Sequence, residues 1–154
     1  MKRRTFLQSS VSLLFTGSIV NAAEGSFEIT RTEAEWRKML TETEYLVMRE
    51  DKTERAGSSP LNKEYRTGTY ICKGCDLPLY PSETKYDSKT GWPSFYDSIQ
   101  GAVGTKEDNT FFTTRTEVHC RRCGSHLGHI FEDGPKPTGK RHCLNGVSLN
   151  FVLT

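Results

Sequence analysis

Apolar positions recur at helical spacing in the stretch that begins near Thr32. Thr32 and Thr41 each start a Thr-x-x-Glu pattern, in which the threonine caps a helix and the glutamate bonds back to it. Behind each pattern, apolar residues fall three or four positions apart. We therefore predict two short successive helices whose large apolar side chains pack in the core. These side chains are Trp36, Met39, Leu40, Tyr45, Leu46 and Met48.

The rest of the chain changes to short apolar runs between closely spaced turn residues. Residues 51–68 are polar and include Gly-Ser-Ser-Pro, which predicts a long surface loop. Runs rich in β-branched and aromatic residues follow at 69–71, 111–114, 117–119 and 147–153. The last run alternates well enough for a buried strand. The whole pattern predicts a mainly β domain with short N-terminal helices.

The first residues have the layout of a secretory signal peptide. A basic start at residues 2–4 precedes a mildly apolar stretch at residues 11–20, and two alanines then precede a polar residue. The apolar stretch is shorter than the ~20 residues that a membrane-spanning helix needs. We predict a signal peptide over residues 1–23 and a mature domain over residues 24–154. The alternative is an amphipathic helix that stays part of the mature protein.

Two adjacent arginines narrow the type of signal. Arg3 and Arg4, followed by Thr-Phe-Leu, resemble the twin-arginine export signal of bacteria, which carries proteins that have already folded. We therefore predict export to the periplasm. An ordinary secretory signal and a cytoplasmic location are the alternatives. No cysteine directly follows the apolar stretch, which argues against a lipid anchor.

Length and charge exclude several classes of partner. The 154 residues allow one domain with its own core. The formal net charge is +2, from 21 basic and 19 acidic residues, and removal of Lys2, Arg3 and Arg4 leaves 18 against 19. A nearly neutral domain lacks the basic surface that nucleic acid or an anionic membrane attracts, so we predict binding to neither.

Four of the five cysteines form two C-x-x-C pairs. These pairs are Cys72 with Cys75 and Cys120 with Cys123. Two such pairs supply the four thiolates that one tetrahedral zinc ion takes, and a site closed by four protein ligands is structural rather than catalytic. The alternatives are a disulfide within each pair, which an exported protein could form, and a catalytic zinc.

The fifth cysteine lies among other chemically reactive side chains. Three segments, 91–95, 126–135 and 139–146, read Gly-Trp-Pro-Ser-Phe, His-Leu-Gly-His-Ile-Phe-Glu-Asp-Gly-Pro and Gly-Lys-Arg-His-Cys-Leu-Asn-Gly. They provide the thiol of Cys143, the imidazoles of the two histidines in the second segment, a guanidinium, an amide and an indole. Cationic neighbours would favour the thiolate, which is the nucleophilic form of cysteine. Taken singly, each residue could instead serve packing or ordinary hydrogen bonding.

Together these segments resemble the peptide methionine-R-sulfoxide reductases of the B type. The G-W-P-S-F, H-L-G-H-[VI]-F-x-D-G-P and R-[YH]-C-x-N elements of that family are all present, as are both C-x-x-C pairs, and the resemblance runs from about Glu33 to the C-terminus. It implies two antiparallel β-sheets, with a structural zinc site of four cysteines on the side away from the active site. It also implies reduction of the R epimer of methionine sulfoxide, free or in proteins.

The resemblance assigns the chemistry to three residues. Cys143 would attack the sulfoxide sulfur, return methionine and be left as a sulfenic acid. His126 and His129 would bind or protonate the sulfoxide oxygen. Stabilisation of the charge that develops at that oxygen is then the main catalytic contribution.

The same resemblance assigns supporting roles to four further residues. Arg141 and Asn145 would orient the site and favour the thiolate. Trp92 and Phe131 would form the apolar wall that receives the methyl group of the substrate. Because methyl group and oxygen need different pockets, such a site accepts one sulfoxide epimer.

The chain departs from the family at two positions. Thr90 stands where many members carry a resolving cysteine, so Cys143 has no spare partner once four cysteines bind zinc. We therefore predict a monomeric one-cysteine enzyme whose sulfenic acid is reduced by an external thioredoxin-like or glutaredoxin-like thiol. Gly146 stands where a serine is common, and we expect a minor effect. The alternative functions are a zinc-stapled β-domain that binds a partner without catalysis and a disulfide-rich exported domain.

Overall fold

The structure is a computed structural model that describes residues 27–110 and 113–154. The predicted signal peptide over residues 1–23 lies outside the described residues. Within the described ranges, no helix is long and apolar enough to cross a membrane.

Both predicted helices form, and both capping boxes are complete. Helix α1 spans Glu33–Met39 and helix α2 spans Glu42–Glu50. At the start of each helix, a threonine side chain accepts a hydrogen bond from the backbone N–H of the glutamate three residues on, whose carboxylate accepts from the threonine N–H. These bonds satisfy donors that a helix start otherwise leaves unpaired.

Most of the predicted core residues of the helices are buried. Trp36, Leu40, Tyr45 and Met48 are at most 7% exposed. The prediction for Met39 is wrong, because its residue surface is 50% exposed. Met39 ends α1, where Trp36 and Leu40 already take the positions that face the core.

Nine strands follow in the described part of the chain. They are β1 Gly68–Cys72, β2 Pro78–Pro81, β3 Lys85–Tyr86, β4 Ser94–Phe95, β5 Val103–Asp108, β6 Arg115–Cys120, β7 His126–Phe131, β8 Arg141–Leu144 and β9 Leu149–Leu153. They form a three-stranded sheet in the order β2-β1-β9 and a six-stranded sheet in the order β3-β4-β8-β7-β6-β5. All strand pairs are antiparallel, which confirms the predicted fold class.

Aromatic rings join the two sheets. The ring of Phe95 in β4 lies 4.9 Å from the ring of Tyr70 in β1 and 4.6 Å from that of Tyr80 in β2. All three side chains are fully buried. Such contacts add to the free energy of burial and fix the six-stranded sheet on the smaller one.

The predicted strands agree with the structure only in part. The runs 69–71 and 117–119 lie within β1 and β6, whereas Thr113 and Thr114 precede β6 and belong to no strand. Phe111 and Phe112 lie outside the described residues. The run 147–153 is a strand only from Leu149. Leu149 is buried, but Val152 and Leu153 are exposed at the far end of β9, an edge strand that pairs with β1 alone.

Residues 51–68 are for the most part the exposed loop that their polarity predicts, with a 3₁₀ turn at Pro60–Lys63. Two polar side chains of the loop are nevertheless buried, since Glu54 is 5% exposed and Ser59 is 8% exposed. The Glu54 carboxylate accepts hydrogen bonds from the backbone N–H of Gly146 at 2.7 Å and of Val147 at 3.1 Å. Burial raises the pKa of Glu54 even though these bonds favour its charged form. This carboxylate ties the segment to the chain just after Cys143.

Packing of the 51–68 segment against position 146 also explains why that residue is glycine. A Cβ atom at Gly146 would lie 2.0 Å from Oγ and 2.4 Å from Cβ of Ser59. The Cβ atom of a serine, the residue expected at position 146 in many relatives, would therefore collide with Ser59. Gly146 is a packing requirement here, contrary to the minor effect we expected.

Substitution of Gly146 by alanine should destabilise the fold by about 1–3 kcal/mol, because the new methyl group overpacks a buried contact. The matched variants are Ser59→Gly alone and Ser59→Gly combined with Gly146→Ala. Denaturant unfolding of the four proteins measures the coupling between the two positions. If the double variant is no more stable than Gly146→Ala, the collision with Ser59 is not the cause.

Candidate active site and metal centre

Four cysteines meet where two strands end. Cys72 ends β1 and Cys120 ends β6, while Cys75 and Cys123 lie in the turns that follow. The Sγ atoms of Cys72 and Cys123 are 3.6 Å apart and those of Cys75 and Cys120 are 3.5 Å apart. All four sulfurs lie within 4.8 Å of one another, and none is in a disulfide.

This sulfur cluster has the dimensions of a metal site. Thiolates at 2.3 Å from a tetrahedral ion lie about 3.8 Å from one another, which agrees with the observed separations. The disulfide alternative requires a bond within each C-x-x-C pair, whereas all four cysteines are free thiols in the structure. The four cysteines can therefore hold one metal ion in a closed, structural site.

The remaining cysteine lies in the centre of the six-stranded sheet. In β8, Cys143 faces Ser94 of β4 on one side and His129 of β7 on the other. Gly128 makes the second pairing possible, because a Cβ atom there would lie 2.0 Å from the carbonyl oxygen of Cys143. Its φ of +157° also suits glycine. The glycine of the His-Leu-Gly-His motif therefore allows β7 to approach the strand that carries the thiol.

Cys143 lines a cavity of about 160 Å³. Trp92, Phe131 and Leu144 give this cavity apolar walls, and His129 adds an imidazole. Thr53, Arg115, Gly128 and Asn145 complete the lining. The structure therefore brings five of the predicted site residues to one small cavity: Cys143, His129, Asn145, Trp92 and Phe131.

The segment before the strands holds two of these residues in place. The indole N–H of Trp92 donates to the backbone carbonyl of Glu54 at 3.1 Å. The side-chain carbonyl of Asn145 accepts from the backbone N–H of Glu54 at 2.9 Å, and its NH₂ group donates to the carbonyl of Leu127 at 3.2 Å. Both side chains are positioned by bonds to backbone rather than to other cavity residues.

His129 forms a pair with a carboxylate. Its Nε2 atom lies 2.8 Å from Oδ2 of Asp108. Hydrogen bonds from Thr110 hold the pKa of Asp108 well below its usual range, and His129 and Arg115 add to the effect. An ionised carboxylate only accepts, so Nε2 of His129 carries the proton and Nδ1 is left as an acceptor. Burial lowers the pKa of His129, although Asp108 opposes that shift.

His126 lies deeper and lines a neighbouring cavity rather than that of Cys143. Its residue surface is 1% exposed, and its ring stands edge-on to the ring of His129 at 5.4 Å between centroids. Its Nδ1 atom is 3.2 Å from Oε1 of Glu117, a buried carboxylate on β6. The two predicted imidazoles are therefore adjacent, but only His129 shares a cavity with the thiol.

Arg141 is the cation nearest to Cys143 in sequence. Its guanidinium donates two hydrogen bonds to Asp133, at 2.9 and 2.8 Å, and lies 4.4 Å above the ring of Phe131. His142 adds no positive charge, because burial lowers its pKa to about 4 and its Nδ1 atom pairs with the hydroxyl of Tyr80.

Of the cationic neighbours expected to favour the thiolate of Cys143, Arg141 does so, but burial has the larger effect in the free protein. Burial raises the pKa of the Cys143 thiol, and the opposing effects of Arg141, Thr90 and Ser94 do not compensate. With His129 and His142 kept largely neutral, Arg141 supplies this opposing charge. The thiol is therefore protonated at neutral pH.

Sequence reasoning missed three carboxylates around the site, of which Glu54 and Glu117 are buried. Glu54 lies in the segment whose polarity predicts a loop, and nothing local indicates its burial. Glu117 lies inside a run with the pattern of a strand, where a charged residue between β formers could have signalled a functional carboxylate. Asp108 ends β5, a strand that the pattern does not predict.

Comparison with known proteins agrees with this site. The SelR domain family matches residues 40–153. A peptide methionine sulfoxide reductase MsrB of Methanosarcina barkeri is 53% identical over 124 residues, which cover 80% of this chain and 87% of the relative. The enzyme of the same name from Leptospira interrogans is 43% identical over 127 residues, covering 82% of this chain and 97% of the relative.

A plant relative shows the same similarity. Peptide methionine sulfoxide reductase B1, chloroplastic, of rice is 46% identical over 130 residues, covering 84% of this chain and 61% of the relative. The family match extends over both cysteine pairs, the cavity residues and the thiol. The chain therefore belongs to the SelR domain family and, within it, to the B-type peptide methionine sulfoxide reductases.

Proposed function

We propose that the protein reduces the R epimer of methionine sulfoxide, free or in proteins, to methionine. The observation that carries this proposal is the placement of Cys143 in a small cavity with apolar walls, directly across the strand pair from His129. A thiol, an imidazole and an apolar recess are what sulfoxide reduction requires: a nucleophile, a proton carrier and a place for the methyl group.

The protonation states favour a reaction that starts from the neutral thiol. Nδ1 of His129 takes the proton as Sγ of Cys143 attacks the sulfoxide sulfur, and the imidazolium passes it to the sulfoxide oxygen. Asp108 stabilises the imidazolium by its hydrogen bond to Nε2. The attack forms a bond between Sγ and the substrate sulfur. That bond and the S–O bond of the substrate then break as the protonated oxygen becomes bound to Sγ, so the products are methionine and the sulfenic acid of Cys143.

The walls of the cavity support selection of one epimer. Trp92 and Phe131 offer an apolar surface for the methyl group, while His129 lies where oxygen must be protonated. Exchange of the methyl group and oxygen would place the oxygen against the aromatic rings without a donor. Loss of that hydrogen bond costs far more than a poor apolar fit.

The missing second cysteine supports an external reductant. The Thr90 hydroxyl lies 3.9 Å from Sγ of Cys143, at the position where a resolving thiol would stand. All other cysteines belong to the sulfur cluster. We propose that a thioredoxin-like or glutaredoxin-like dithiol reduces the sulfenic acid, and that this step yields a disulfide on the reductant and one water.

Zinc is the ion we propose for the sulfur cluster. Four thiolates in tetrahedral array suit Zn²⁺, and the site links β1 to the β6–β7 turn. Bound there, the ion would contribute stability by fastening the two sheets together. It takes no part in the reaction, because four protein sulfurs leave no open position for substrate.

Turnover of separated R and S sulfoxides of a methionine peptide tests the proposal. The wild-type protein should reduce the R epimer only, and Cys143→Ser should show no reduction above the uncatalysed rate because serine cannot accept the oxygen. Both proteins should contain about one zinc per chain, since Cys143 is outside the cluster. Reduction by a zinc-loaded Cys143→Ser protein would contradict the role of Cys143. No reduction by zinc-loaded wild type would favour the non-catalytic binding domain.

Introduction of a resolving thiol should change how the enzyme is regenerated. After one turnover without reductant, wild-type Cys143 should remain a sulfenic acid that dimedone traps, whereas Thr90→Cys should form a disulfide with Cys143. Peptide mass mapping distinguishes the two products. Thr67→Cys, an exposed position before β1, is the control and should behave as wild type. A disulfide between Cys143 and a native cysteine of the same chain would refute the one-cysteine mechanism.

The pH dependence of alkylation should reveal the protonated thiol. Thiolate is the reactive form, and burial raises the pKa of Cys143, so the rate of its modification by iodoacetamide should still rise at a pH where the rate for an ordinary cysteine has levelled off. Arg141→Met should slow alkylation at a fixed pH, because its charge favours the thiolate. Arg66→Met on the surface is the control. A rate that is already constant at pH 7 would contradict the effect of burial.

We propose that residues 1–23 direct export through the twin-arginine route to the periplasm and that residues 24–154 form the mature enzyme. The order of basic, weakly apolar and small residues supports this proposal. Replacement of Arg3 and Arg4 by lysine keeps the charge and should leave the precursor in the cytoplasm. Fractionation of expressing bacteria measures the outcome. Unchanged export would point to the ordinary secretory route.

A further inference from the structure

A second cavity borders that of Cys143 and is lined by a cluster of carboxylate and imidazole side chains. Its volume is about 430 Å³, and it shares Thr53, Arg115 and His129 with the first cavity. Asp51, Glu117 and His126 also line it. Asp51 is half exposed at the end of α2, whereas the other two are almost fully buried.

The imidazole of His126 points into this second cavity without a hydrogen-bond partner. Among the described residues, neither Nδ1 nor Nε2 makes a hydrogen bond, although the ring is 1% exposed. Nδ1 lies within ion-pair distance of Glu117, at 3.2 Å, but the structure gives it no hydrogen bond. Buried polar atoms are normally paired, so an orphaned imidazole beside a carboxylate indicates a missing ligand.

The three side chains have the spacing of a metal site. One ligand atom from each lies within 4.8 Å of the others. Nδ1 of His126 is 3.2 Å from Oε1 of Glu117 and 3.9 Å from Oδ1 of Asp51. Ligand bonds of 2.0–2.2 Å to a tetrahedral ion place the ligand atoms about 3.3–3.6 Å apart. One imidazole and two carboxylates form a donor set that suits divalent first-row transition metals.

A lysine already provides a positive charge at the same place. Nζ of Lys106 lies 3.1 Å from Oε2 of Glu117 and 3.5 Å from Oδ2 of Asp51. The Lys106 side chain is 54% exposed and can turn into solvent. The two carboxylates therefore face a cation that an incoming ion can displace.

We propose that Asp51, Glu117 and His126 form a second, exchangeable site for a divalent transition-metal ion, which competes there with the ammonium group of Lys106. The ion satisfies the buried imidazole and bridges the two carboxylates. The donors differ from those of the sulfur cluster, so the two sites take different ions by preference. One consequence rests on the proposed function: an ion bound at this second site fixes His126 beside His129 and slows sulfoxide reduction.

The test uses the untagged full chain with its sulfur cluster loaded with zinc and Ni²⁺ as the probe. Isothermal calorimetry should detect one Ni²⁺ per chain, and elemental analysis should find the zinc retained. Asp51→Asn and Glu117→Gln should each weaken binding at least about 10-fold, because each removes a charged ligand. Lys106→Met should strengthen binding roughly two- to fivefold, because an exposed ion pair that competes with the ion is lost.

Lys52→Met is the matched control for Lys106. Lys52 lines the same cavity but is not paired with Asp51 or Glu117 in the way Lys106 is, so its loss changes the charge without freeing the ligands. Binding that is unaffected by Asp51→Asn and Lys106→Met, or Ni²⁺ uptake that releases an equal amount of zinc, would overturn the proposal. Asp51 and Lys106 are both half exposed, so these variants should fold. Because binding is measured without sulfoxide, failure of the reductase assay leaves this result unaffected.

Discussion

The close approach of β7 to β8 is the constraint on which the site depends. Residues that face each other across these strands are His129 and Cys143, and the pair exists only because Gly128 leaves room for the backbone carbonyl of Cys143. A shift of one residue in register would turn the imidazole to the other face of the sheet. The proposed nucleophile and proton carrier are thus positioned by backbone pairing in the middle of a six-stranded sheet, which fixes their relative position.

This central placement has an electrostatic consequence. A thiol and an imidazole buried in a sheet both lose solvation, and both therefore favour their neutral forms. The protein keeps Arg141 and Asp108 beside the site, but in the free state they do not reverse the effect of burial. In the proposed reaction, charge separation is therefore delayed until substrate is present, when Asp108 stabilises the imidazolium and the sulfoxide oxygen receives the proton.

The sequence was informative where the signal is local. Capping boxes depend on residues three apart, and the C-x-x-C pairs place two thiols in one turn, so both the helices and the sulfur cluster could be predicted. Glu54 could not, because its burial depends on backbone N–H groups of residues 146 and 147, some ninety positions away. The polar segment 51–68 has the composition of a solvated loop unless those partners are known. The sequence also does not predict that only His129 lines the cavity of Cys143, because that depends on how β7 pairs with β6 and β8.

The β6–β7 hairpin carries two ligands of the sulfur cluster and also the two histidines of the proposed site. The stability of the hairpin is therefore linked to the geometry of that site. On β6, Glu117 precedes Cys120 by three residues, and on the return strand His126 follows Cys123 by three. An ion bound by Cys120 and Cys123 therefore fixes the turn from which Glu117 and His126 extend. The same hairpin continues to His129, opposite the thiol. Loss of the metal would thus act first on the geometry of the two cavities and only then on the packing of the sheets, although no ligand of the sulfur cluster touches substrate.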